Sequence, residues 1–259
     1  MTTRYRVLRS RQALWSRRLG FFAIPLVCLT ALLHRLELIE TTVALAVIGF
    51  AIALAAVALV LALGAFVSIW RDGRKGLRNA IFGLLAALAI LAIPGYSMVA
   101  IVDKPSLTDI VTDPARPPAL TVASRTRPPS ANAVRYDPAT AAVQRKAYPE
   151  IDPVEIALPV EDVWQLVLSQ AAAERWKLVD EQAPANGLAG HLEAIAYTPF
   201  FGFRDDVAVI VSRLGEDRTR IDMRSASRYG RHDLGRNAAR IFAFLQAVVA
   251  ASAPLTPAQ

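Results

Sequence analysis

Three apolar stretches fill most of the first 102 residues, and they limit what this chain can fold into more than any other feature. They run from Leu19 to Leu33, from Val43 to about Trp70, and from Ala80 to Val102. About 20 residues rising ~1.5 Å each cross a hydrocarbon layer about 30 Å thick, so the second and third qualify outright. The first is short; it is expected to extend through Leu36, Leu38 and Ile39, with Arg35 and Glu37 reaching toward headgroups. Spans of about 19–39, 43–70 and 80–102 make residues 1–102 a membrane anchor. A mean hydropathy of +0.35 and 54% hydrophobic residues agree with that class.

A cleaved leader is the competing reading of the first span, because basic residues precede an apolar core. His34, Arg35, Leu36 and Glu37 follow Leu33, with no small-x-small cleavage site, so an uncleaved anchor is expected. Cys28 follows Val27 inside the core, a poor setting for lipidation, and reads as a small apolar residue. Three histidines and one cysteine leave little room for a zinc cluster or a disulfide scaffold, and no cofactor or metal is expected.

The net charge of +7 is confined to one half. Residues before Val102 hold 11 Lys+Arg against 3 Asp+Glu, whereas the rest hold 18 against 19. The basic excess flanks membrane-length segments, and the C-terminal half lacks the footprint that a phosphate backbone needs, so nucleic acid is not an expected partner. Arg4, Arg6, Arg9, Arg11, Arg17 and Arg18 precede the first span. Arg35 is offset by Glu37 and Glu40 in the next loop, and Arg71, Arg74, Lys75 and Arg78 occupy the one after. Basic, neutral, basic predicts a multi-pass protein of the inner (plasma) membrane, with a cytoplasmic N-terminus and a periplasmic C-terminal half. Trp15 and Trp70 suit the interface at two cytoplasmic ends. No Asp, Glu, Lys or Arg falls within the interior of the second or third span, which argues against transport. Gly49, Gly64 and Gly83 would permit close helix contact, and Pro94-Gly95 would end or bend the third span.

Asp103 to Pro159 holds ten prolines and no glycine, the composition of a semi-rigid extended spacer. Ile110, Val111, Leu120, Val134 and Tyr136 suggest that parts of it lie against a folded surface. Beyond Pro153 the pattern is that of a compact domain. A strand at Val154–Leu158 precedes a helix with Val160, Val163, Trp164, Val167, Leu168 and Ala171 at helical spacing. Strands follow at Trp176–Glu181 and about Leu188–Tyr197, separated by a turn at residues 184–187. Arg204–Leu214 and Thr219–Arg228 form a hairpin around Gly215-Glu216-Asp217. Opposing residues whose numbers sum to 432 gathers Val207, Val209, Val211, Ile221 and Met223 on one face. Asp206, Ala208, Ile210, Arg220, Asp222, Arg224 and Arg228 fall on the other, the pattern of a half-buried antiparallel sheet. A helix from Asp233 to Ala250, capped by Asp233, closes a β-α-β-β-β-β-α order of the α+β class.

The densest polar region joins Gly202–Asp206 to Arg224–Asn237. Asp206 lies diagonal to Arg224 and, farther on, Arg228, which reads first as a cross-strand ion-pair ladder. The functional reading is an anion or carboxylate site, with Arg228, Arg231 and Arg236 at the start of the last helix. Asp205 and Asp206 are adjacent on a strand and point to opposite faces, so they do not converge as a metal or acid-base pair. His191 and His232 have no spacing that ties them to either. Ser225 and Ser227 lack a G-x-S-x-G context, and there is no P-loop, G-x-G-x-x-G or H-E-x-x-H.

The runs DIVTDPARPPAL (109–120), QRKAYPEIDP (144–153), TPFFGFRDDVAV (198–209) and RIDMRSASRYGRHDLGRNAARI (220–241) resemble the domain of unknown function 1499 family (DUF1499), found in bacterial and plastid proteins, commonly beside membrane helices. Leu120 stands where that family is expected to carry an aromatic residue. The resemblance covers about Asp109 to Ala250 and implies no reaction, ligand or catalytic residue. It does imply that the Pro-rich stretch belongs to the domain. Residues 103–108 then form a short linker, 109–250 the domain and 251–259 a tail. The candidate ligand-binding residues are Arg204, Asp205, Asp206, Arg224, Ser225, Ser227, Arg228, Asp233 and Asn237. The leading expectation is a domain that binds an envelope component, a lipid headgroup or a partner protein. The alternatives are an envelope hydrolase using Asp205 or Asp206 with His191 or His232, and a purely structural membrane-associated module.

Overall fold

The computed structural model describes residues 8–185 and 187–255. Arg4 and Arg6 of the N-terminal arm, Asn186 of the turn and residues 256–259 of the tail lie outside the described residues. The chain divides into two units, Met1–Val99 with Phe200–Gly202, and Ala100–Pro199 with Phe203–Gln259.

The first unit is built from α1 (Arg11–Arg35), α2 (Thr41–Asp72) and α3 (Leu77–Asp103, its last turns counted with the second unit). All three are long and apolar enough to cross a membrane. The first begins well before Leu19 because the Ser10 hydroxyl accepts the Ala13 amide, capping a basic first turn. It stops at Arg35 rather than near residue 39, and Glu37 takes a left-handed φ of 59°. Gly73, at φ 64°, ends α2 in a conformation that costs glycine little. The third helix continues through Pro94.

Oil-like lipid gives apolar helices no hydrophobic reason to associate, so close contact between small residues has to supply the attraction. Ala44, Ala51, Ala55, Ala58, Ala62 and Ala65 form a fully buried seam along α2. On α1, Ala13, Ser16, Gly20 and Ala23 are buried, and the Ser16 hydroxyl donates to the Ala58 carbonyl at 2.8 Å. Of the three glycines singled out by sequence, only Gly83 sits at a backbone crossing. A Cβ there would lie 2.7 Å from the Arg17 amide nitrogen, whereas Gly49 has nothing within 4 Å and Gly64 meets only the Gln12 side chain.

The second unit is a six-stranded antiparallel sheet. Its strands are β1 (Asp109–Val111), β2 (Val154–Ile156), β3 (Lys177–Gln182), β4 (Gly190–Tyr197), β5 (Arg204–Gly215) and β6 (Arg218–Ser227). The order is β1-β6-β5-β4-β3, and β2 also pairs with β6, beyond β1 along the same edge. The other edge, β3, carries a register shift between Leu178 and Asp180. Pairing of Asp205 with Ser227, Val207 with Ser225 and Val211 with Ile221 is the register read from the alternating pattern. The helices α6 (Val160–Ala173) and α7 (Arg236–Ser252) cover one face. Val163, Trp164, Val167, Ile241 and Phe244 pack there against Leu192, Val207, Val209, Ile221 and Met223, with Trp176 stacked on Phe244 at 4.8 Å.

Three expectations change. The polar face of the sheet is not solvated: Asp206, Ala208, Arg224 and Arg228 are all buried. Residues 113–136, containing α4 (Thr121–Thr126), lie over it, and α5 (Ala141–Ala147) is tied to the β1 backbone through Gln144, so the Pro-rich stretch is a layer of the fold rather than a spacer. Leu120, in place of the expected aromatic, packs with Ala123, Ala208, Ala226 and Val134. Within 103–108, Leu107 enters the main core and the Thr108 carbonyl accepts the Ser227 amide, so that stretch is integral to the domain.

Gly83→Leu is expected to destabilise the helical unit by about 1–3 kcal/mol, because the α1 backbone must move away. Gly49→Leu should leave it unchanged, and detergent-titrated unfolding of the full chain measures both.

Candidate functional site

Alternation along β5 and β6 sends successive polar residues to opposite sides of one sheet. The nine candidates therefore separate into two clusters. Eight are buried; Arg204, the first residue of β5, is half-buried, and its carbonyl accepts the Arg228 amide at 3.3 Å.

Beneath α7, Asp205 accepts from Arg240 at 2.7 Å. Arg240 also donates to Ser225 Oγ at 2.7 Å and Asn237 Oδ1 at 2.8 Å. The Asn237 amide group donates to Ser227 Oγ and the Thr108 carbonyl, both at 3.0 Å. Asp233 closes the cluster: α7 begins at Arg236, three residues later than the sequence predicts, with Gly235 at its N-cap, and the Asp233 carboxylate still accepts the Gly235 and Asn237 amides at 2.8 and 2.9 Å. Burial pushes the Asp233 carboxyl above the ordinary carboxylate range, more than those two amides pull it down.

On the opposite face, Asp206 lies between two guanidiniums. Arg127 Nε donates to it at 2.7 Å and Arg228 at 2.6 Å, with all three side chains at most 4% exposed. Arg127 also donates to the Asn132 and Ala133 carbonyls of its own segment and to the Ala226 carbonyl of β6, so with Asp206 it ties the covering segment to the sheet. Arg224 pairs not with Asp206 but with Asp109, at 2.7 and 3.0 Å, and reaches the Pro118 and Val134 carbonyls. The predicted ladder is thus two separate clasps that reach outside the hairpin.

A fourth buried carboxylate, Glu193, accepts the amides of Thr121, Val122 and Ala123 and so anchors α4. With Asp180 and His191 it brings three potential metal-ligand atoms within 4.8 Å. Both Glu193 oxygens are already occupied by the first turn of α4, however. His191 Nε2 lies 3.2 Å from the Ala119 carbonyl. His232 bonds the Lys104 carbonyl and the Leu234 amide.

Sequence reasoning missed Arg127, Asp109, Glu193 and Arg240. Arg240 had a signal, since it follows Asn237 by three residues and so shares its helix face. The others had none, because their partners are set by where the irregular segment crosses the sheet.

What this geometry defines is an antiparallel α+β domain with ionic clasps buried on both faces, following three helices of membrane-spanning length. The chain belongs to the family described as a protein of unknown function, DUF1499, whose sequence profile matches residues 109–248. No curated protein matches it.

Removing one partner from a buried ion pair leaves an uncompensated charge. Asp206→Ala is therefore expected to destabilise the domain by about 3–5 kcal/mol, while Arg236→Ala, exposed, should stay within about 0.5 kcal/mol; thermal unfolding of the full chain reads both. A second expectation concerns pH. Folded Asp233 holds its proton to higher pH than the unfolded chain does, so its contribution favours folding at low pH and fades as pH rises from about 4 through its raised value. Wild type should lose stability relative to Asp233→Asn over that rise; a relative gain would mean that the two amides, not burial, control the group.

Proposed function

We propose that this is a bacterial inner-membrane protein whose C-terminal domain stands in the periplasm and binds an envelope component, a lipid headgroup or a partner protein. One observation carries the binding reading: Asp205, Asp206 and Asp233 are each consumed by arginines or backbone amides inside the domain. A rigid body with its polar groups satisfied internally presents a shaped surface rather than a reactive centre. Among the basic groups left outward near the clasps, Arg231 and Arg236 are exposed at the start of α7, and they are the contact points of the proposal. The nine candidate residues then support this surface from beneath. A hydrolase built on Asp205 or Asp206 would need His191 or His232 as base, and both histidines make their contacts elsewhere.

The placement rests on the alternation of basic and neutral loops. Alkaline phosphatase fused after Gln259 is expected to be active and green fluorescent protein at the same point dark. Photo-crosslinkers replacing Arg231 and Arg236 should give a discrete adduct in intact cells, whereas one on exposed Glu174 should not. A bright fluorescent fusion would overturn the placement, and equal labelling from all three positions would overturn the contact surface.

A further inference from the structure

The N-terminal arm and the α2–α3 loop are fastened together. Ser10 N donates to the Lys75 carbonyl and Lys75 N to the Leu8 carbonyl, both at 2.9 Å. This gathers Arg9, Arg11, Arg17, Arg18, Arg71, Arg74, Lys75 and Arg78 at one end of the helical unit, where among the described residues of that unit Asp72 is the sole acidic one and already pairs with Arg74. Two of these cations are placed in a particular way. Arg17, from α1, lies 5.9 Å from the centre of the Phe82 ring, and Arg78, from α3, lies 5.7 Å from it. Arg17 is also 5.7 Å from the Phe21 ring and donates to Asn79 Oδ1 at 3.1 Å. Phe21 and Phe82 meet edge to face at 6.4 Å, and both are exposed.

Two like charges are thus held on one ring, with no carboxylate paired to either among the described residues. Bringing guanidiniums together costs energy, and a shared anion relieves that cost. Directly along both helices from the guanidiniums runs an apolar, exposed flank of Phe21, Phe82, Ile81 and Leu85. Charge above and hydrocarbon below is the profile of an anionic lipid.

We propose that Arg17 and Arg78, seated over Phe82, hold the phosphodiester of an anionic phospholipid whose acyl chains lie along Phe21 and Phe82. This seat depends on the three helices spanning a bilayer and is independent of what the C-terminal domain binds.

The test uses the full chain in nanodiscs of phosphatidylcholine with a minor share of phosphatidylglycerol, and measures the lipids retained after extraction into detergent. Wild type is expected to retain phosphatidylglycerol preferentially. Arg17→Gln/Arg78→Gln should lower that preference about tenfold, while Arg9→Gln/Arg71→Gln, which removes equal charge, should keep it within about twofold. Excess inorganic phosphate should not displace the lipid. If the Arg17/Arg78 pair of changes reduces helix content, Phe82→Leu replaces it in the comparison; it removes the shared ring without altering charge and should lower the preference several-fold. An equal fall in both double variants, no preference in wild type, displacement by phosphate, or an unchanged preference in Phe82→Leu would overturn the proposal.

Discussion

One carboxylate between two guanidiniums fixes the architecture of the C-terminal domain. Asp206 receives Arg228 from its own hairpin and Arg127 from the covering segment, all three buried. Taking these charges out of water is costly, and the cost is met only when nearly every donor finds an acceptor. The Asn132, Ala133 and Ala226 carbonyls provide those acceptors for Arg127. The segment from 112 to 147 has few large apolar residues with which to hold itself down, so polar contacts do much of the work. Asp109 clasps Arg224, Glu193 takes the first turn of α4, and Gln144 bonds both backbone groups of Val111. The face that looks solvent-ready in the hairpin alone is an internal interface.

The helical unit solves a different problem with different material. Apolar surface cannot drive helices together in lipid, so α2 offers a line of alanines and α1 a line of small residues, and backbones approach closely enough for dispersion to accumulate. Gly83 leaves room for the α1 backbone at Ser16 and Arg17, and Ser16 supplies a hydrogen bond across the seam to α2. Polar chemistry gathers instead at the basic end, where arginines rest on aromatic rings.

Much of this was legible in the sequence, for reasons that differ by element. Membrane-length helices announce themselves by length and composition alone. The β5–β6 register was readable because a one-residue slip would have placed Val207, Val209 and Val211 opposite the wrong layer. Helix ends were less readable: α1 begins at Arg11 because of a serine cap that hydropathy does not register. The covering layer was legible as part of a domain only through family resemblance, since ten prolines without a periodic pattern dictate no path. Eight of the nine candidate residues are buried, and alternation divides them between two faces. Half of their partners come from that pathless segment or from one helix turn farther on.

The edges of the sheet carry a consequence for a chain held in a bilayer. Two short strands occupy the outer side of β6, leaving β3 as the open border. That border is kinked by its register shift and studded with Lys177, Asp180 and Glu181. Copies confined to a plane meet far more often, and in more uniform orientation, than copies tumbling in three dimensions. A straight, uncharged border would invite a strand of another copy to add to it, and these charges with their bend act as a guard against such strand-by-strand growth.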